Sequence, residues 1–119
     1  MKPRDIARLG TFDPTAEKEA RDQRFREVIA SIPRGKVASY GQVAAAAGYP
    51  LYHRQVARLL RNCGDGLLWQ RVLGSGGYIK TKLDTAWEQR LRLEMEGVRF
   101  IGKHVDLEAH QHLFRTWEF

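Results

Sequence analysis

The chain of 119 residues has a single cysteine, Cys63. It cannot close an intramolecular disulfide, and a zinc site built on cysteines lacks its ligands. The expectation is an intracellular protein living among reduced thiols. No run approaches the roughly 18 consecutive apolar residues of a membrane span. The opening residues, Met1-Lys2-Pro3-Arg4-Asp5, lead into no apolar stretch, so no secretory signal is read there. Internal repeats and low-complexity tracts are missing as well. Apolar residues are 43% and charged residues 29% of the chain. That balance suits a folded chain rather than a disordered one, and the length suits one domain with one core.

Acidic residues are almost missing from the middle. Residues 1–32 carry seven basic and six acidic side chains, and residues 83–119 carry five and seven. Residues 33–82 carry eight basic residues (Arg34, Lys36, Arg54, Arg58, Arg61, Arg71, Lys80 and Lys82) against Asp65 alone. The net charge of +6 therefore originates in one block. Such a block suits a polyanion, nucleic acid first; a solvated basic face kept for solubility is the other reading.

Residues 1–12 show no period and are expected to be a flexible arm, with the domain spanning 13–119. Asp13-Pro14 starts a helix with an N-cap carboxylate and Pro at the first position. Phe25, Val28, Ile29 and Ile32 follow at helical spacing, and Pro33-Arg34-Gly35-Lys36 ends it. Ser39 caps a short helix through the alanines 44–47, which Gly48 stops. A third helix covers residues 52–62. Its Val56, Leu59 and Leu60 face one way; Arg54, Arg58 and Arg61 recur at i, i+4 and i+7 on the other face. Short helix, glycine-bearing turn and arginine-faced helix form the pattern of a helix-turn-helix. The alternative is an αα-hairpin with a solvated face, but like charges at this spacing repel and a phosphate partner relieves them. Residues 67–73, the glycine turn 74–77 and Tyr78-Ile79 read as a hairpin wing. A helix over 85–96, a strand over 98–101 and a last helical segment over 107–117 complete a mainly α fold with a small β wing.

Few residues carry chemistry of their own. Cys63 has no His or Lys beside it in sequence to act as base, and reads as a small residue at a helix end. His104, His110 and His112 lack clean metal-ligand spacing, and Gly74-Ser75-Gly76-Gly77 is no phosphate loop. No metal and no cofactor are expected. Trp69, beside Gln70 and Arg71 and before the glycine turn, is either a platform on which a base stacks or a core residue of the hairpin. Spacing leaves both open.

Three ordered segments carry a resemblance. Pro33-Arg34-Gly35-Lys36-Val37-Ala38-Ser39-Tyr40-Gly41-Gln42-Val43-Ala44 resembles the IPxGKVxTYGxIA segment of O6-alkylguanine-DNA alkyltransferases. Arg54-Gln55-Val56-Ala57-Arg58-Leu59-Leu60-Arg61 resembles their recognition helix, RAVGxAxRxNP. Leu68-Trp69-Gln70-Arg71-Val72-Leu73-Gly74-Ser75 sits where they carry PCHRVxxS. The match runs from about residue 24 to about residue 100.

The departures matter as much. The nucleophilic cysteine of those enzymes is Trp69 here, and the activating histidine is Gln70. An indole has no nucleophilic atom suited to the transfer, and glutamine takes no proton near neutral pH. Glu96 stands where the enzymes keep the acid of their proton relay, with nothing left to activate. This exchange resembles the alkyltransferase-like proteins, a non-enzymatic branch that binds O6-alkylguanine in DNA and marks it for nucleotide excision repair. The resemblance implies a winged helix-turn-helix that docks in the minor groove and flips the damaged base. Tyr40 would press on the phosphate beside the target, and Arg54 would fill the vacated space. Arg58 and Arg61 would hold DNA, and Trp69, Arg71 and Lys82 would line the lesion pocket. The implied partners are duplex DNA with the lesion and damage-recognition proteins of nucleotide excision repair. The implied protein is a monomer, cytoplasmic and nucleoid-associated when on DNA. Two other readings stay open: an active single-use alkyltransferase using Cys63, and a winged-helix transcription regulator.

Overall fold

The structure, a computed structural model, describes residues 13–64 and 66–115. The arm expected over residues 1–12 lies outside them. Helix α1 (Pro14–Ala30) starts as its sequence demands. Pro14 occupies the first position, and the Asp13 carboxylate accepts from the N–H groups of Thr15 (3.0 Å) and Ala16 (3.4 Å). Its Arg24 Nε donates to Ala47 O at 2.7 Å, satisfying a carbonyl that the end of the next helix leaves without a partner.

Strand β1 (Ala38–Ser39) runs into α2 (Tyr40–Ala46) through a reciprocal cap. The Ser39 hydroxyl accepts from Gln42 N–H at 3.0 Å, and Gln42 Oε1 accepts from Ser39 N–H at 2.8 Å. The chain then reverses at Gly48, whose φ of 91° costs glycine little. Helix α3 (His53–Arg61) follows. The two helices and their turn form the helix-turn-helix read from the sequence.

β1 pairs in parallel with β2 (Val72–Leu73), Ala38 opposite Val72 and Ser39 opposite Leu73. Successive strand side chains point to opposite faces, so this short pairing divides the core. Ala38 and Val72 belong with Phe25, Ile29, Val43, Ala44 and Val56, where α1, α2 and α3 meet. Val37 and Leu73 belong with Leu93, Val98 and Val105, under α4 (Leu83–Met95). Phe25 is fully buried, and truncating it to Ala would cost about 3–5 kcal/mol.

The wing is made by β3 (Phe100–Ile101) and β4 (His104–Val105), an antiparallel pair. The two-residue loop between them has Gly102 at φ 62°, the positive φ that a type II′ hairpin needs at its first loop position. This corrects the expectation that put the hairpin at residues 67–79. There, Trp69–Arg71 is a 3₁₀ turn, Val72 and Leu73 are buried against β1, and Tyr78 makes one isolated bridge to His104. An apolar pair buried on both faces behaves as a parallel strand set in the core, not as one arm of a half-exposed hairpin. The last helical segment is also shorter than expected. α5 spans Leu107–His110, after which Gln111 pairs alongside Val37. Among the described residues no helix is long and apolar enough to cross a membrane.

Candidate nucleic-acid interface

Helix α3 carries the arginines on its open side. Arg54, Arg58 and Arg61 are exposed, and none makes an ion pair with a carboxylate among the described residues. Arg54 stands in the first turn, where no acidic residue accompanies it and the helix dipole disfavours a cation. From Arg54 to Arg61 the stripe runs about 10 Å along the helix axis.

Tyr40 begins α2, half-buried against the first core cluster. Burial pushes its phenol pKa up while the charge of Arg61 pulls it down, and burial wins. The hydroxyl therefore stays protonated at neutral pH, able to donate a hydrogen bond beside that arginine.

The C-terminal end of α3 opens onto a cleft of about 740 Å³. Leu60 and Arg61 of α3, Thr85 and Glu88 of α4, and Trp69, Lys80 and Lys82 line it. The volume falls in the range of small-molecule and cofactor sites. Arg61, Lys80 and Lys82 make the cleft electropositive. Glu88, the acid on its wall, is held at 3.0 Å by Arg92, whose guanidinium also stacks 5.3 Å from the centre of the Trp69 ring.

Trp69 is half-buried at this wall because the 3₁₀ turn around it is tied down on its other sides. Gln89 of α4 is buried and donates to Gln70 O (3.2 Å) and Val72 O (2.9 Å), and Thr81 donates to Gln89 Oε1 at 2.9 Å. Gln70 Nε2 donates to Glu96 Oε2 at 2.9 Å. Arg71 Nε donates to Glu96 at 2.9 Å while its Nη1 donates to Ile32 O at 2.8 Å. Glu96 also accepts from Gly35 N–H at 3.0 Å. Burial would raise the Glu96 pKa; the hydrogen bonds from Gly35, Gln70 and Arg71, with the charge of Arg71, outweigh it and hold the carboxyl below its ordinary value.

Arg71 is thus a correction. Its side chain is buried and committed to Glu96 and Ile32, and it does not line the cleft. Trp69 and Lys82 do line it, joined by Arg61 from the helix stripe. Sequence reasoning missed Lys80, Thr85, Glu88 and Arg92. The i, i+4 pair Glu88–Arg92 on the same helix as Gln89 was the available signal.

Cys63 follows α3 between Leu60 and Gly64, two residues of the cleft lining, and is not itself part of that lining. Its Sγ lies 3.1 Å from Leu60 O and 3.2 Å from Gly64 O. His110, one of the three histidines near the C-terminus, is a structural link: one ring nitrogen meets Gly35 O at 3.0 Å and the other accepts from Arg99 N–H at 3.1 Å.

With that geometry in view, the family model of the DNA-binding domain of 6-O-methylguanine DNA methyltransferase matches residues 20–98. The chain belongs to this family. The matched span runs from within α1 to just past α4, and takes in the arginine stripe, Trp69 and the whole cleft. A DNA base-flipping protein of Vibrio parahaemolyticus is 45% identical over 80 residues, covering 64% of this chain and 80% of the relative. The alkyltransferase-like protein 1 of Schizosaccharomyces pombe is 40% identical over 76 residues, covering 60% and 70%. Among solved structures, the S. pombe protein Atl1 in complex with damaged DNA containing O6-carboxymethylguanine has a TM-score of 0.67 at 29% identity. That alignment covers 80% of this chain and 95% of Atl1. The Mycobacterium tuberculosis O6-methylguanine methyltransferase has a TM-score of 0.56 at 28% identity, over 62% of this chain and 46% of the enzyme. The mainly helical fold with small β elements is that of the family's DNA-binding domain.

Proposed function

We propose that this protein is a non-catalytic sensor of O6-alkylguanine in duplex DNA. Arg58 and Arg61 hold the phosphate backbone, Tyr40 presses on the phosphate beside the lesion, and Arg54 enters the stack as the base leaves. The extruded base enters the cleft, against Trp69 and under Lys82. Extrusion costs a few kcal/mol, least for a damaged pair, and contact with an aromatic ring returns about 1–3 kcal/mol. Bound protein then marks the site for the damage-recognition proteins of nucleotide excision repair, and the alkyl group stays on the DNA.

The observation that carries this reading is Trp69 with its neighbour. On the sequence resemblance, Trp69 stands at the position of the enzymes' nucleophilic cysteine and Gln70 at that of their activating histidine; the indole lines the cleft, and the Gln70 amide donates to Glu96. Binding is measured on matched duplexes with and without O6-methylguanine, followed by intact mass of the protein. Preference for the lesion with unchanged mass is expected. A gain of one methyl group, on Cys63 above all, would replace the sensor with a single-use alkyltransferase.

A further inference from the structure

The turn that leads into the recognition helix holds its side chains in an unusual way. Tyr49, Pro50, Leu51 and Tyr52 form a β-turn closed by Tyr52 N–H to Tyr49 O at 3.1 Å. Pro50 takes the second position, and Leu51 the third with φ 76°. This is a type II turn, whose third position calls for glycine or asparagine. A leucine there is strained by its own Cβ. Nothing inside the fold compensates, since Leu51 is 90% exposed.

The base of the turn is rigid by contrast. Tyr49 meets Phe25 edge-on at 5.8 Å and Tyr52 at 5.5 Å, and the Arg21 guanidinium lies 5.5 Å from the Tyr52 ring. A strained, exposed, apolar tip on a fixed base is a feature that folding alone does not account for. It stands three residues before Arg54, at the same end of α3.

We infer that Leu51 is an apolar wedge, which enters the minor groove beside Arg54 and unstacks the base step next to the extruded nucleotide. This rests on the reading above that α3 docks on DNA and Arg54 enters the stack. Minor-groove proteins use leucine in this role, parting a base step and bending the duplex. Division of labour follows from side-chain chemistry. The guanidinium of Arg54 offers hydrogen bonds to the partner base left behind, whereas Leu51 offers only dispersion and exclusion of water. The left-handed backbone keeps the wedge in place before DNA arrives, so little ordering cost falls on binding.

The test separates folding from binding. Leu51→Gly relieves the strain and Leu51→Met keeps an apolar tip. The probe is an O6-methylguanine duplex with 2-aminopurine at the step beside the lesion, whose fluorescence rises on unstacking. Leu51→Gly is expected to melt at the same temperature as the parent or higher, to bind the lesion duplex about tenfold more weakly and to lose most of the fluorescence rise. Leu51→Met is expected to retain most of both. Full affinity and full fluorescence in Leu51→Gly, with Arg54→Ala impaired in parallel, would overturn the wedge and leave the sensor reading standing. Parent protein that binds lesion and normal duplexes alike would instead remove the reading beneath it.

Discussion

Replacing Trp69 by Ala separates two roles that the sequence leaves open. The ring is half-buried at the wall of a cleft of about 740 Å³, and Arg92 stacks on it at 5.3 Å. Truncation therefore removes one partly exposed cation–π contact, about 0.5–1 kcal/mol, together with part of a side-chain burial. The 3₁₀ turn keeps its ties to Gln89 and Glu96 through Gln70 and Arg71, which the substitution does not touch. At about 4–8 °C per kcal/mol for a domain of this size class, the melting temperature should fall by several degrees and no more. The effect on lesion binding should be larger. Loss of an aromatic–base contact is about 1–3 kcal/mol, or about 5- to 150-fold in affinity at 1.4 kcal/mol per decade. Undamaged duplex, which rarely presents an extruded base, should lose less. The assay is the ratio of lesion to normal affinity by fluorescence anisotropy, with a melting curve on the same sample. A retained ratio with stability lowered by the 3–5 kcal/mol of a core aromatic would refute the argument and return Trp69 to the interior.

The other expectations are simpler to state. Arg54→Ala should lose most lesion discrimination with little change in the salt slope, and Arg58→Ala should weaken both duplexes alike and lower the slope by about one phosphate; identical behaviour of the two would disprove the assigned roles. Trp69→Cys alone should gain no methyl group from an O6-methylguanine duplex, because Gln70 takes no proton; transfer by this single variant, read by intact mass, would show that no base is needed. His112 has its pKa lowered by burial and by the charge of Lys36, so stability should begin to fall as pH drops below about 6.5, where the unfolded imidazole binds a proton first; His112→Gln should flatten that step of the melting temperature. Glu96 is lowered too, so its contribution is present above about pH 4.3 and lost as pH falls through its folded-state value.

What was legible in the sequence was local. Asp13-Pro14, the Ser39 cap and Gly48 act within three or four residues of themselves, and the helices they bound are where their spacing put them. The arginine stripe on α3 needed only the helical period. The β elements were a different matter. β1 and β2 are two residues each and lie 34 positions apart in register, Ala38 with Val72. Two residues display no alternation, and nothing local marks a pairing at that separation. The wing was misplaced for the same reason: the glycine-rich turn at 74–77 looks more like a hairpin loop than Gly102-Lys103 does.

Arg71 shows the limit of reading charge from composition. It counted toward the basic block of residues 33–82 on equal terms with Arg58, yet its partner Glu96 lies 25 residues away, outside that block. Only the folded chain separates an arginine turned inward from one left exposed. The same pair also explains why an acid at position 96 has a use without a thiol to activate. Its two oxygens accept from Gly35, Gln70 and Arg71, joining the end of α4 to the turn before β1 and to the 3₁₀ turn. Removing one member of such a buried pair leaves an uncompensated charge, a loss of about 3–5 kcal/mol. In this chain the carboxylate ties down the 3₁₀ turn that carries Trp69 to the cleft.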